Sequence, residues 1–188
     1  MNKKTKVYLI VAVVILIVGA LFSVKNSLKA PIVLAPVPTQ VSFDGKNTSF
    51  TIDGNSVTLA NGVSEIPVAP GSASTVTTRY FGNEARGDLN GDGLEDVAFL
   101  ITQDGGGSGL FYYVVVALKT QDGYKTTNAF LIGDRIAPQS TDINTSAKEL
   151  DVNFAERKAG EPMTTQPSVG ATLVLKVTPE GVLEGLMK

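Results

Sequence analysis

Asp88-Leu-Asn-Gly-Asp-Gly-Leu-Glu-Asp-Val-Ala-Phe-Leu-Ile-Thr102 is the stretch that separates a helical from a β reading of this chain. Its first nine residues place oxygen-bearing side chains at loop positions 1, 3, 5 and 9 (Asp88, Asn90, Asp92 and Asp96), with Gly93 at position 6. Calcium takes six to eight hard oxygen ligands at about 2.3–2.6 Å, commonly with a backbone carbonyl from position 7, here Leu94. Gly93 suits the sharp reversal that turns the three leading side chains inward, because glycine reaches positive φ without a Cβ clash. The six residues after Asp96 are apolar or β-forming and carry no helical period. The loop therefore feeds a strand.

Position 12 is Phe99, where a helical calcium hand carries a bidentate glutamate. Asp96 is then the carboxylate expected to close the shell. The loop resembles the D-x-[DN]-x-D-G-x-x-D calcium loops of integrin-type FG-GAP repeats and of dockerin-like modules. That resemblance, over roughly ten residues, implies Asp88, Asn90, Asp92, the Leu94 carbonyl and Asp96 as Ca2+ ligands. FG-GAP propellers repeat the loop in each blade, whereas this chain has it once; dockerins pair two loops with helices. More broadly, Thr78-Arg-Tyr-Phe-Gly82, Gly133-Asp-Arg135 and Pro167-Ser-Val-Gly170 look like an uncharacterised bacterial envelope protein family. No activity comes with that likeness.

The surrounding sequence predicts a mainly β domain, a small antiparallel sheet closed as a barrel or a sandwich. Ser49–Ile52 and Ser56–Leu59 flank Asp53-Gly54, a strong hairpin signal, and Asn61-Gly62 makes the next turn. Val63 to Val68 alternates weakly, and Pro67 would confine it to an edge. Pro67 to Thr78 reads as a crossing, after which the main module begins. Val97–Thr102, Leu110–Leu118 and Tyr124–Ile132 read as a meander, with Gly105–Gly109 as its flexible connection. Asp142–Asp151 reads as an exposed polar loop, with one helical turn near Ser146–Leu150. Val152–Phe154, Ala171–Val177 and Val182-Leu183 complete the strands.

The N-terminus reads differently. Val7 to Val24 is an uncharged, mostly apolar run of 18 residues, about 27 Å as a helix against a hydrocarbon core of about 30 Å. Lys3, Lys4 and Lys6 precede it and favour a cytoplasmic start. The expected organisation is a cytoplasmic tail (1–6), a transmembrane signal-anchor (7–24), a Pro-rich linker (25–40) and an extracytoplasmic β-rich domain (41–188), with a subdivision into 41–70 and 78–188 as the alternative. Cleavage after Ala20 or Ala30 would instead release the domain as a secreted protein.

Composition narrows the function. The chain has 16 basic and 18 acidic residues; the first thirty contain five lysines and no acid, leaving 11 against 18, net −7. That balance opposes a nucleic-acid surface, which needs basic residues to neutralise phosphates. Cysteine and histidine are absent, which excludes thiolate catalysis, disulfides and Ser-His-Asp or His-Glu-x-x-His constellations. The Gly105–Gly109 run lacks the Gly-Lys-Ser/Thr ending of a phosphate loop and precedes a strand. Arg79, Glu84, Asp134 and Arg135 stand beside apolar segments and would form a ligand pocket if they met, since the arginine fork pairs carboxylates bidentately.

The expectation is a membrane-anchored extracytoplasmic calcium-binding module with a structural or interaction role and an envelope protein or glycan as partner. The rival is a carbohydrate-active or other hydrolase using Asp134 and Glu156 in an acidic pocket.

Overall fold

The computed structural model describes Asn2, Lys4 and residues 42–186. Among the described residues no helix is long and apolar enough to cross a membrane; the expected span at 7–24 and the linker at 25–40 lie outside them. The described chain is mainly β with antiparallel sheets, one curled into a half-barrel.

Strand order begins with β1 (Ser49–Ile52), β2 (Asn55–Thr58), β3 (Val63–Pro67) and β4 (Thr75–Gly87). It continues with β5 (Asp96–Asp104), β6 (Phe111–Thr120), β7 (Gly123–Thr126) and β8 (Phe130–Asp134). The last four are β9 (Ala137–Asn144), β10 (Glu149–Glu156), β11 (Val169–Val177) and β12 (Leu183–Gly185). The six-stranded sheet runs β3-β4-β5-β6-β7, with β8 paired to β6 beyond β7. β12-β11-β10-β9 make a second sheet, and β1-β2 a separate hairpin.

Turn chemistry explains the first hairpins. Asp53 and Gly54 take φ of 49° and 80°, both positive as a two-residue type I′ turn requires. Asn61 and Gly62, at 52° and 85°, repeat the device between Ala60 and Val63, which bond each other at 3.0 and 3.2 Å.

The middle of the sheet is buried on both faces. Ala98, Leu100, Val114, Val116 and Leu118 pack with Leu150, Val152, Leu175 and Leu183 of the four-stranded sheet. On the opposite face, Phe99, Ile101, Tyr113, Val115 and Ala117 pack beneath Phe50, Ile52, Val57 and Leu59 of the hairpin. A strand covered twice needs apolar residues at every position, which is why Val97–Ile101 and Tyr113–Leu118 show no alternation. Phe99 is fully buried and lies against the rings of Phe43 and Tyr80 at 5.4 and 5.9 Å.

Three segments differ from the sequence reading. The crossing is confined to 68–74; β4 takes its last four residues and runs 13 residues in all, and its pairing with β5 shifts register on both sides of Gly82. Gly82 and Asn83 sit at φ 101° and 51°, so a bulge breaks the alternation that marks a strand. Tyr124–Ile132 divides into β7 and β8 at Thr127, whose N–H still bonds the Val116 carbonyl at 2.8 Å while its Oγ1, in place of its carbonyl, accepts the Val116 N–H at 3.1 Å. Asp142–Asp151 is the β9–β10 hairpin rather than a free loop: Leu150 is fully buried, and only 145–148 form the turn.

Phe99→Ala should cost about 3–5 kcal/mol, the range for emptying a buried aromatic site. Phe81→Ala, at a side chain 46% exposed whose ring meets Tyr112 at 5.5 Å, should cost under about 1.5 kcal/mol. Urea denaturation of the two variants checks the contrast.

Candidate metal centre

The Asp88–Glu95 loop leaves the end of β4 and delivers the chain into β5. Two backbone kinks make it compact: Gly91 and Gly93 both lie at φ 83°, where a Cβ would strain the chain. Asp88 organises the interior. Its Oδ1 accepts the amides of Gly91 (2.6 Å) and Asp92 (3.1 Å), and its Oδ2 accepts that of Gly93 (2.9 Å). Asn90 Oδ1 accepts the Asp92 amide at 2.8 Å, while Asn90 Nδ2 donates to Asp92 Oδ2 at 3.0 Å. Asp92 Oδ1 in turn accepts the amide of Leu94 at 2.8 Å. Four consecutive amides, Gly91 to Leu94, are thereby taken by two aspartates and an asparagine.

Asp96 differs from the other three. It is fully buried; its Oδ2 accepts the Leu89 amide and its Oδ1 the Lys119 amide, both at 2.9 Å. Burial pushes its pKa up, against the amides of Lys119, Leu89 and Asn90 and with the charge of Asp92. This carboxylate ties the loop to β6. The sequence shows Asp96 as a ligand position, but no signal in it marks Lys119, which the Val97–Ala117 register brings alongside.

Among the described residues no group of three or more carboxylates, histidines or cysteines converges as a ready metal cluster. The side-chain donors in the loop are all oxygens, the ligand type that hard cations take. A carboxylate offers about four lone-pair sites and an amide oxygen two, so the described bonds leave about one open on Asp88, two on Asp92 and one on Asn90. Leu94 is partly exposed, with its N–H committed to Asp92.

The residues read as a ligand pocket fall into separate pairs. Glu84 Oε1 accepts from the Tyr80 hydroxyl at 2.7 Å and Oε2 from Arg86 Nη2 at 3.0 Å; Arg86 also reaches Glu95 at 3.7 Å. Burial, then the bond to Glu84, raises the Tyr80 phenol above its ordinary value. Arg79 is exposed on β4, in register with Val63 and Thr102. Asp134 is held by Arg135 Nη2 at 2.8 Å and accepts the Leu110 amide at 2.9 Å. Asp134 does share a depression of about 330 Å3 with Glu156, Arg157, Lys158, Glu161 and Met163. Sequence reasoning missed the Arg157 clasp, which donates to the carbonyls of Arg135 (2.8 Å) and Thr165 (2.5 Å).

No protein-family model matches this chain, and no curated protein or solved structure shows significant similarity to it.

Two outcomes follow from these bonds. Asp96→Ala should cost about 2–6 kcal/mol, because it strands the Leu89 and Lys119 amides at roughly 1–3 kcal/mol each; chemical denaturation measures it. The Arg135 hydrogen bond, foremost, holds the Asp134 carboxyl below its ordinary 3.8. A lowered folded pKa gives stability that is complete above the unfolded value and lost as pH falls through the folded one. The melting-temperature gap between the wild type and Asp134→Asn should therefore be widest near neutrality and close below about pH 4.

Proposed function

We propose that this chain is a membrane-anchored, extracytoplasmic calcium-binding module with a structural or interaction role. One observation carries the reading: Asp88 collects the amides of Gly91, Asp92 and Gly93, which turns the oxygens of Asp88, Asn90 and Asp92 into one tight loop. Calcium would be held by these side chains with the Leu94 carbonyl and Asp96, as the likeness to FG-GAP and dockerin-like loops implies, with water filling the rest of the shell. When bound, the ion supplies charge balance to three aspartates on nine residues. It supplies no reaction. Membrane attachment rests on Lys3, Lys4 and Lys6 followed by the uncharged run 7–24. An envelope protein or glycan is the partner class consistent with that location.

The rival hydrolase reading draws on the depression that Asp134 and Glu156 share. Against it, Asp134 is engaged by Arg135 and kept ionised, which disqualifies it as a proton donor near neutral pH. Asp134→Asn should leave turnover of a glycan panel unchanged from the wild-type baseline. Loss of a measurable glycosidase activity in that variant would revive the rival.

Calcium at tenfold its dissociation constant should stabilise the protein by about 1.4 kcal/mol if the unfolded chain binds none. Asp88→Ala or Asp92→Ala should remove that increment. Calorimetry with no heat of calcium binding, together with an unshifted melting temperature, would end the proposal. For the membrane half, full-length protein should resist carbonate extraction, with the Asp88 loop accessible to protease only from outside the cell. A mature chain beginning at Leu21 or Pro31 would convert the anchor into a secretion signal.

A further inference from the structure

The two edges of the β1–β2 hairpin are not equivalent. The Leu59 N–H donates to the Thr48 carbonyl at 2.9 Å, which fixes the phase of the ladder. With the register Phe50–Val57 and Ile52–Asn55, those are the hydrogen-bonded pairs, and the intervening residues turn their N–H and C=O outward. On β1 the outward carbonyls are taken: Ser49 accepts from Thr126 Oγ1 at 2.6 Å and Thr51 from the Ala129 amide at 2.7 Å. On β2 the outward residues are Ser56 and Thr58. Among the described residues β2 pairs with β1 alone, and no backbone bond occupies its outer edge.

Beside that edge lies a groove of about 470 Å3. Ile52 and Val57 wall it on the hairpin side; Ile66, Val68 and Val76 form the facing surface. Ile66 and Val76 are partners across β3 and β4, so their side chains share one face of the sheet. Ile66 is 44% and Val68 58% exposed. The neighbouring edge of β3 is a poorer template, because Pro67 has no N–H to donate. Asp53 is the single charged residue lining the groove, at the hairpin turn.

We propose that β2 receives an added strand, an extended peptide from another protein chain. Its β-branched apolar side chains at alternate positions cover Ile66, Val68 and Val76, and its terminal basic residue pairs with Asp53. Backbone bonds to Ser56 and Thr58 supply attachment, and the groove supplies selection, the usual division of labour in strand addition. A basic rather than acidic peptide fits on charge: no lysine or arginine lines the groove, and residues 31–188 carry net −7. The proposal is independent of calcium.

The test uses the full-length chain in detergent micelles and a short peptide of alternating valine and threonine ending in lysine, with an aspartate-ended counterpart as control. Calorimetry should show binding of the lysine-ended peptide and at least about tenfold weaker binding of the control. The Ser56 amide should become protected from hydrogen exchange. Ile66→Asp, at an exposed position, should weaken the lysine-ended peptide by at least about tenfold with the melting temperature retained; Ser56→Pro should do the same by removing the outward donor. Absence of binding, equal affinity for the aspartate-ended peptide, or indifference to Ile66→Asp would overturn it. Concentration-dependent dimerisation that protects Ser56 without peptide would also overturn it, by assigning the edge to a second copy of the chain.

Discussion

Burial of both faces of β5 and β6 is the constraint on which the other elements depend. Phe99, Ile101 and Val115 point one way while Leu100, Val114 and Val116 point the other, each worth about 1.5–3 kcal/mol when fully covered. A single second layer would leave half of them in water. The four-residue strands of the β1–β2 hairpin are too short to stand alone, yet Phe50, Ile52, Val57 and Leu59 cover the face that the four-stranded sheet cannot reach. Hairpin and sheet therefore stabilise the same two strands from opposite sides.

That arrangement sets the terms for the loop before β5. A strand buried on both faces admits a charge at its first residue only if the charge is fully hydrogen-bonded. Asp96 meets the condition through Leu89 and Lys119, one partner in the loop and one on β6. The loop is consequently hung from the core at its C-terminal end. At its N-terminal end Gly87 leaves no room for a side chain, since a Cβ there would meet Ile143 Cγ2 at 2.9 Å. The close passage of β9 beside β4 is reinforced by the Asn83–Thr141 side-chain bond at 3.1 Å.

The parts of this fold legible in the sequence are those governed by neighbours a few residues apart. Asp53-Gly54 and Asn61-Gly62 announced their turns through φ preference, and the apolar runs at 97–102 and 110–118 announced burial. β4 and β9 were not legible, for different reasons. In β4 the Gly82-Asn83 bulge offsets the period-2 pattern at its midpoint. In β9, Thr141 is buried while Ser140 and Asp142 flank it in solvent, so the strand looks polar from Gln139 to Asp142. The spacing of Asp88, Asn90 and Asp92 was readable, but the anchoring of Asp96 was not, because Lys119 contributes a backbone amide and any residue has one. Arg79, Glu84, Asp134 and Arg135 were joined in the sequence reading by charge alone; β4 and the end of β8 give each carboxylate a different local partner.

The same hydrogen bonds decide what an ion at Asp88–Asp96 would do under the calcium reading. Amide dipoles stabilise a carboxylate without neutralising it, so the bonds from Gly91 to Leu94 fix the shape of the loop and leave its charge in place. Arg86 is divided between Glu84 and Glu95, and the Lys148 side chain packs over Gly91 without an ion pair to the loop aspartates. Shape and charge are thus separable: turns and amides hold the former, and under the calcium reading a bound ion would balance the latter. An ion bound to a loop already folded by its own amides acts as a counter-charge rather than as a nucleus. Its contribution would then scale with occupancy, on the order of 1–3 kcal/mol at attainable calcium levels, and the β domain would keep its fold without it.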